Sequence, residues 1–253
     1  MKPSYSHRCL KGLEELEPIN SQPLHDRIYN EILVAGQDYS PETAAEHRAG
    51  IELLGKILSV CQGFWDNAGE FADPFGAYME GSFQTSERSG QFFTPKAICD
   101  VCTRITVGKE DLDGTPHTFS DGCCGTGRFM LSIAKHYARN NSGAFNFYIV
   151  NVDVEFKAFV YCTMNAWLHG IPAVTIWGNS LTMEVFDAFM TFRNLGLPPQ
   201  CIRISAAAAE KFLKAPFLSK VKEEKTCTSE AVAAAAGYHG QANLFDFTGG
   251  MEA

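Results

Sequence analysis

Asp121-Gly-Cys-Cys-Gly-Thr-Gly127 is the stretch that decides how this chain is read. Thr118-Phe-Ser-Asp121 predicts a short strand running into it, and Arg128 to Ala138 predicts a helix leaving it. Small residues in a turn after a strand let the backbone approach a ligand, and the next helix's N-terminus adds positive potential. Gly122, Gly125 and Gly127 do not have the spacing of a dinucleotide fingerprint, and Arg128 stands where a phosphate-binding loop would need Lys. Nucleotide hydrolysis is therefore disfavoured. Asp121 at the strand end suits an ammonium or a sulfonium better than a pyrophosphate.

The chain alternates outward from this turn. Phe145 to Val152 predicts a strand, Glu155 to His169 a helix, and Val174-Thr-Ile-Trp177 a third strand entering Gly178-Asn-Ser-Leu181. This alternation predicts an α/β fold with a parallel sheet, helices on both faces, and a ligand beyond the carboxyl ends of the strands. Every marked loop falls at such an end. Asp153, just past the second strand, is placed to accept from two ribose hydroxyls, the reading its strand-end position favours over a cap of the following helix. Asn179 offers a donor and an acceptor to an adenine edge, or shapes a turn. Phe92 and Phe93 could stack on a base or belong to the core, and His169 reads as a cation at a helix C-terminus, not a catalyst. No general base is assigned.

Ahead of the turn the chain predicts a helical lead-in. Leu24 to Leu33 is helix-compatible, and Ser40-Pro-Glu-Thr43 is a helix start. Ile51, Leu53, Leu54, Ile57, Leu58 and Cys61 mark one helical face, and Asp73-Pro-Phe-Gly-Ala-Tyr-Met79 turns into a short helix. After Pro95 a further helix has Ile98, Val101 and Cys102 on its apolar face, so Cys99 and Cys102 read as a buried pair of small apolar residues. Beyond Leu181, Glu184 to Phe192 predicts helix and Cys201-Ile-Arg-Ile204 a fourth strand. Alanine-rich runs at 205–209 and 231–236 follow, with Leu244-Phe-Asp-Phe247 as a possible last strand. The expected divisions are a helical region over 1–88, a ligand-binding domain over 89–204 and an alanine-rich segment over 205–253.

A net charge of -8 argues against a free-standing nucleic-acid binder, because neutralising phosphates supplies most non-specific affinity. A basic patch within an acidic total leaves DNA binding through a partner open. Nine scattered cysteines without a disulfide framework, no signal peptide and no apolar run of about 20 residues predict a reducing, cytoplasmic setting with no membrane partner. No metal set is expected.

Taken together, these motifs resemble the N6-adenine DNA methylase family, specifically the modification subunits of type I restriction systems. Gly90-Gln-Phe-Phe-Thr-Pro95 looks like the family's opening motif, Asp121 to Gly127 like Asp-Pro-x-Cys-Gly-Ser/Thr-Gly, and Gly178-Asn-Ser-Leu181 like the adenine-binding Gly-Asp-Ser-Leu. Asp73 to Tyr78 and Asn165 to Gly170 are similar to further family segments. The resemblance spans about 70–185. It implies a Rossmann-like S-adenosylmethionine-dependent methyltransferase core. Gln91, Phe92, Phe93, Thr94, Asp121, Cys123, Gly125 and Gly127 would contact S-adenosylmethionine, Asp153 its ribose, and the Asn179-Ser180-Leu181 loop its adenine. Gly122 replaces the usual Pro and Asn179 the usual Asp.

A larger departure follows. Family members carry Asn/Asp-Pro-Pro-Tyr/Phe after the fourth strand, to hold a flipped adenine. Here Ser205-Ala-Ala-Ala208 stands there, and Pro198-Pro199 precedes the strand. Short mobile-element sequences that this chain resembles share that loss. Nor does the sequence show a DNA target-recognition domain. Three expectations stand: a DNA adenine methyltransferase or its cofactor-binding half, completed by another chain in a homo- or hetero-oligomer; a catalytically silent cofactor-binding or assembly module; and a methyltransferase with a small-molecule or RNA acceptor. The catalytic residues are unknown.

Overall fold

This computed structural model describes residues 11–16, 22–35, 48–82, 94–107, 116–140, 145–193 and 197–218. The helix start at 40–43, the residues Gln91, Phe92 and Phe93, the second alanine run and the strand expected at 244–247 lie outside them. The elements are α1 (Leu24–Ala35), α2 (Arg48–Ala68), α3 (Pro74–Ser82), α4 (Lys96–Thr106), β1 (His117–Asp121), α5 (Arg128–Asn140), β2 (Phe147–Asp153), α6 (Phe156–His169), β3 (Ala173–Asn179), β4 (Glu184–Phe192), β5 (Gln200–Arg203) and α7 (Ala206–Leu218). No described helix is long and apolar enough to cross a membrane.

The sheet has the order β1-β2-β3-β4-β5. β1, β2 and β3 are parallel, whereas β4 pairs antiparallel with β3 and β5 antiparallel with β4. The fold is mixed α/β, and the expectation of a parallel sheet holds for its first three strands only. Two sequence expectations are corrected here. Glu184 to Phe192 is a strand and not a helix, and the strand at 200–203 is the fifth, not the fourth. The reason is burial: Asp187 to Phe192 are all buried. A strand covered on both faces reads as a near-continuous apolar run, which periodicity cannot tell from a helix.

Helices cover both faces. On one, Phe147, Ile149 and Ala173 pack against Met130, Ile133, Ala134 and Tyr137 of α5 and Cys162 and Ala166 of α6. On the other, Val150, Val152, Val174 and Ile176 pack against Ala208, Ala209, Phe212 and Leu213 of α7. The alanine-rich run at 205–209 is thus the start of a helix seated on the sheet, its small side chains allowing close approach. Ser205 Oγ caps it, accepting from the Ala208 N–H at 3.2 Å.

The lead-in shares a core with the sheet domain. Leu24, Ile28 and Ile32 of α1 are fully or almost fully buried beside Phe159, Tyr161 and Phe189. Each such side chain contributes about 1.5–3 kcal/mol on burial. Tyr29 donates to Asp187, whose other carboxylate oxygen accepts from Arg203 Nε at 2.8 Å, tying α1 to β4 and β5. Burial, reinforced by Asp187, pushes the Tyr29 hydroxyl up to about 12. In α2 the buried line is Gly50, Leu53, Ile57, Cys61 and Phe64, so Ile51 and Leu58 of the expected face point outward. In α4 the expected face is reversed. Cys99 and Thr103 are buried, while Ile98, Val101 and Cys102 are exposed, so the two cysteines are not a buried pair.

His169 is also corrected. It closes α6 but does not act as a cation there, because its ring stacks on Phe71 at 5.0 Å and lies 4.5 Å from Trp65. Among the described residues its Nε2, shut off from solvent, has no hydrogen-bond partner. Burial holds its pKa down at about 4, against an ordinary 6.5. A base whose folded pKa is depressed loses stability for the fold as pH falls, since the unfolded chain takes up the proton first. Between pH 6.5 and 4 this should cost up to about 3 kcal/mol. Denaturant titrations of the protein and of His169→Phe check it, with the variant expected to show a flatter acid limb. Equal acid limbs would remove His169 as the cause.

Candidate functional site

The carboxyl ends of β1, β2 and β3 meet at one cleft of about 780 Å³. Asp121 ends β1, Asp153 ends β2 and Asn179 ends β3, and all three line it. Thr94, Cys123, Gly125, Ser180 and Leu181 of the sequence-derived set line it too, as do Cys99, Cys102, Ser120 and Arg128. Gly127 does not line the cleft; it shapes the turn behind it. Its φ of 87° is left-handed, and a Cβ there would meet Met130 Cε at 2.8 Å and Cys162 Sγ at 2.9 Å. By contrast, a Cβ on Gly122 would make only ordinary contact with Ser180, so a side chain at that position is tolerable.

The turn is held from below and from behind. Asp153 Oδ2 accepts from the Gly125 N–H at 2.8 Å, and its Oδ1 accepts from the Glu155 N–H at 2.9 Å. Asp153 is therefore not the cap of α6; Glu155 is, accepting from the Lys157 N–H. Each carboxylate oxygen has two lone pairs, so acceptor capacity remains toward the cleft. Asp121 Oδ1 accepts from the Cys123 N–H at 3.2 Å. Burial raises the Asp121 pKa above its ordinary 3.8, with Asp153 adding to the effect. A carboxylate in this state gains most from a cationic ligand group.

Asn179 takes the turn-shaping role, one of the two left open by the sequence. Its carbonyl oxygen accepts from the Leu181 and Thr182 N–H groups at 2.9 and 3.2 Å, which fixes the loop between β3 and β4. That oxygen is thereby engaged, and among the described residues the amide Nδ2 is left to donate. Gly178 is required beside it, because a Cβ would lie 2.3 Å from the Glu184 carbonyl where the β3–β4 register shifts.

The residue that sequence reasoning missed is Asp73. Its side chain, 7 % exposed, joins the lead-in to the glycine turn. Oδ1 accepts from the Gly76 N–H at 2.8 Å and Asn165 Nδ2 at 2.9 Å; Oδ2 accepts from Thr126 Oγ1 at 2.6 Å and Arg128 Nε at 2.9 Å. Asn165 also donates to the Thr126 carbonyl at 2.8 Å, and Arg128 reaches Glu80 at 2.6 Å. Burial works against the Arg128 charge, but Glu80 and Asp73 outweigh it and raise its pKa. The visible signals were Asp-Pro opening a helix and the family resemblance of residues 73–78, and neither names distant partners.

A mixed α/β sheet with a cleft across three parallel strand ends, floored by two carboxylates and a glycine turn, places the chain in the α/β class. Residues 71–195 match the N-6 DNA Methylase family model and belong to that family. A similar protein is the type I restriction enzyme MpnII methylase subunit of Mycoplasma pneumoniae, 28% identical over 102 residues. That match covers 40% of this chain and 18% of the relative, so the chain spans a small part of that protein. No solved structure matches.

Proposed function

We propose that the cleft binds S-adenosylmethionine and that the chain is the donor-binding part of an adenine-N6 DNA methyltransferase completed by a partner chain. The observation that carries this reading is the meeting of Asp121, Asp153 and Asn179 at three adjacent strand ends within a segment of the methylase family. The cofactor, when bound, supplies an activated methyl group on a sulfonium. The residues present fit it. The buried Asp121 carboxylate suits the α-ammonium, Asp153 has acceptor capacity for ribose hydroxyls, and Asn179 Nδ2 can donate to an adenine ring nitrogen. Thr94, which lines the cleft, would contact the cofactor, as the family resemblance implies also for Gln91, Phe92 and Phe93, and the binding domain would be 89–204 in a Rossmann-like arrangement. The cytoplasm is the compartment where such a protein would meet DNA.

A second reading, a catalytically silent cofactor-binding or assembly module, has its own observation. Where the acceptor loop of family members was expected, Ser205 is spent as the cap of α7. It also leaves the sheet four strands from β1, roughly 19 Å away at ordinary strand spacing. The described residues therefore offer no adenine cradle beside the glycine turn.

Calorimetry with S-adenosylmethionine and its demethylated product tests the cleft. Heat of binding is expected for both, weakening on acidification as Asp121 takes up a proton. Absence of heat with either compound would sink the assignment. Purified alone, the protein is expected to transfer no labelled methyl group to duplex DNA. Transfer would show that an acceptor site exists within this chain.

A further inference from the structure

A second cavity, of about 460 Å³, lies between the lead-in helices α2 and α3 on one side and α4 and α5 on the other. Arg128 is the one described residue that it shares with the cleft. A space of this size falls within the roughly 300–1,000 Å³ of small-molecule sites. Phe64 of α2, Phe71 of the following turn and Leu131 of α5 give it apolar walls, and Phe71 is held by stacking on His169 at 5.0 Å. Two aromatic side chains lining one cavity suit a flat ring system better than an alkyl chain, because ring faces and edges attract one another.

The polar groups on the same walls differ in what they have left to give. Asp73 is spent on four donors and Glu80 holds Arg128, so the α3 end of the cavity is internally paired. At the α4 end, Asp100 accepts from Ser132 Oγ at 2.5 Å and from Lys135 Nζ at 3.1 Å. Lys96, on the first turn of α4, also lines the cavity and makes no ion pair among the described residues. Burial, followed by Lys135, lowers its pKa against the pull of Asp100, and Arg139 adds to the effect. Three cations thus answer to one carboxylate at this end. An ammonium so placed gains from an added anion.

We propose that this cavity is a second ligand site, for a small aromatic carboxylate whose rings lie against Phe64, Phe71 and Leu131 and whose acid group meets Lys96. Apolar walls supply the affinity, and the one ammonium left without an ion pair among the described residues selects the charge. The site is separate from the cleft, so it stands whatever the cleft binds.

The test is proton–nitrogen NMR of the full chain titrated with naphthoate, naphthylmethanol and naphthylmethylammonium, which share a ring system and differ in charge. The full chain keeps in place Glu87, Glu110, Asp111 and Asp113, which lie outside the described residues. Naphthoate should shift the amides of Ala72, Ala77, Leu131 and Ser132 along one saturable curve, with a Kd on the order of 1 mM or tighter. It should bind about two- to fivefold more tightly than the alcohol, the margin of a partly exposed ion pair. The ammonium compound should bind more weakly than either. Lys96→Gln should erase the margin and leave the Kd of the alcohol unchanged, and Lys96→Arg should keep the margin. Lys96 is exposed, so both variants should retain the fold and any calorimetric signal of the cleft. No saturable shift of the four amides up to the solubility limit of naphthoate overturns the proposal, as does equal affinity for the three compounds. A margin that survives Lys96→Gln overturns it too. Shifts confined to Asp121, Gly125 and Asn179 would place the probe in the cleft and overturn the second site while leaving the first untouched.

Discussion

Asp73→Ala should lower the melting temperature by roughly 6–20 °C. Its carboxylate accepts from four donors on four parts of the chain while only 7 % exposed. Breaking a buried charged network by removing one partner typically costs about 3–5 kcal/mol, because the remaining charge is left in low dielectric. For a chain of this length each kcal/mol shifts the midpoint by roughly 2–4 °C. Glu80 would still hold Arg128, which places the loss toward the lower half of that range. Asp73→Asn keeps the volume and two of the acceptor positions, so it should lose less. Thermal unfolding followed by circular dichroism reads both. If Asp73→Ala melted within a degree or two of the parent, the network would be ornament and the lead-in would not hold the glycine turn. The same substitution should weaken ligand binding, since Thr126 and Arg128 flank the turn's last glycine.

Asp153→Ala should separate binding from stability in the opposite sense. Both carboxylate oxygens hold main-chain N–H groups, one of them on Gly125 in the turn. Hydrogen bonds to charged groups are worth about 1.5–3 kcal/mol each. Losing the ribose contacts proposed for this side chain should therefore weaken S-adenosylmethionine at least about 100-fold. Glu155→Ala is the control. It removes the cap of α6, which should cost about 0.5–2 kcal/mol of stability and leave the affinity within error. Calorimetry on both variants decides. Equal losses of affinity would mean that the β2–α6 corner acts through the fold alone, and an unchanged affinity in Asp153→Ala would remove ribose from its role.

Asp121 and Asp153 were legible because strand-end carboxylates beside a glycine turn form a local pattern, and local patterns survive in sequence. Their placement in one cleft was legible too, since the alternation of strands and helices implies parallel strands with their ends together. Asn179 was half legible. Its position was right, but which of its atoms faces the cleft depended on a turn whose closure needs β4 antiparallel beside β3. That strand was unreadable as a strand because its residues are covered on both faces. The α4 stripe misled for a related reason: an apolar face predicts burial only where something lies against it.

What the sequence alone determined is the set of local devices: the glycine turn, the strand-end acids, the caps and the alternation that stacks three parallel strands. Each depends on residues a few positions apart, so composition and spacing suffice to specify it. Only the tertiary structure decided the antiparallel end of the sheet and the Asp73 network. Those join residues tens of positions apart, as Asp73 with Thr126, Arg128 and Asn165, and no spacing rule encodes such a distance. The pairing comes from which donors and acceptors remain unsatisfied once the helices have packed, and burial then makes each pairing obligatory.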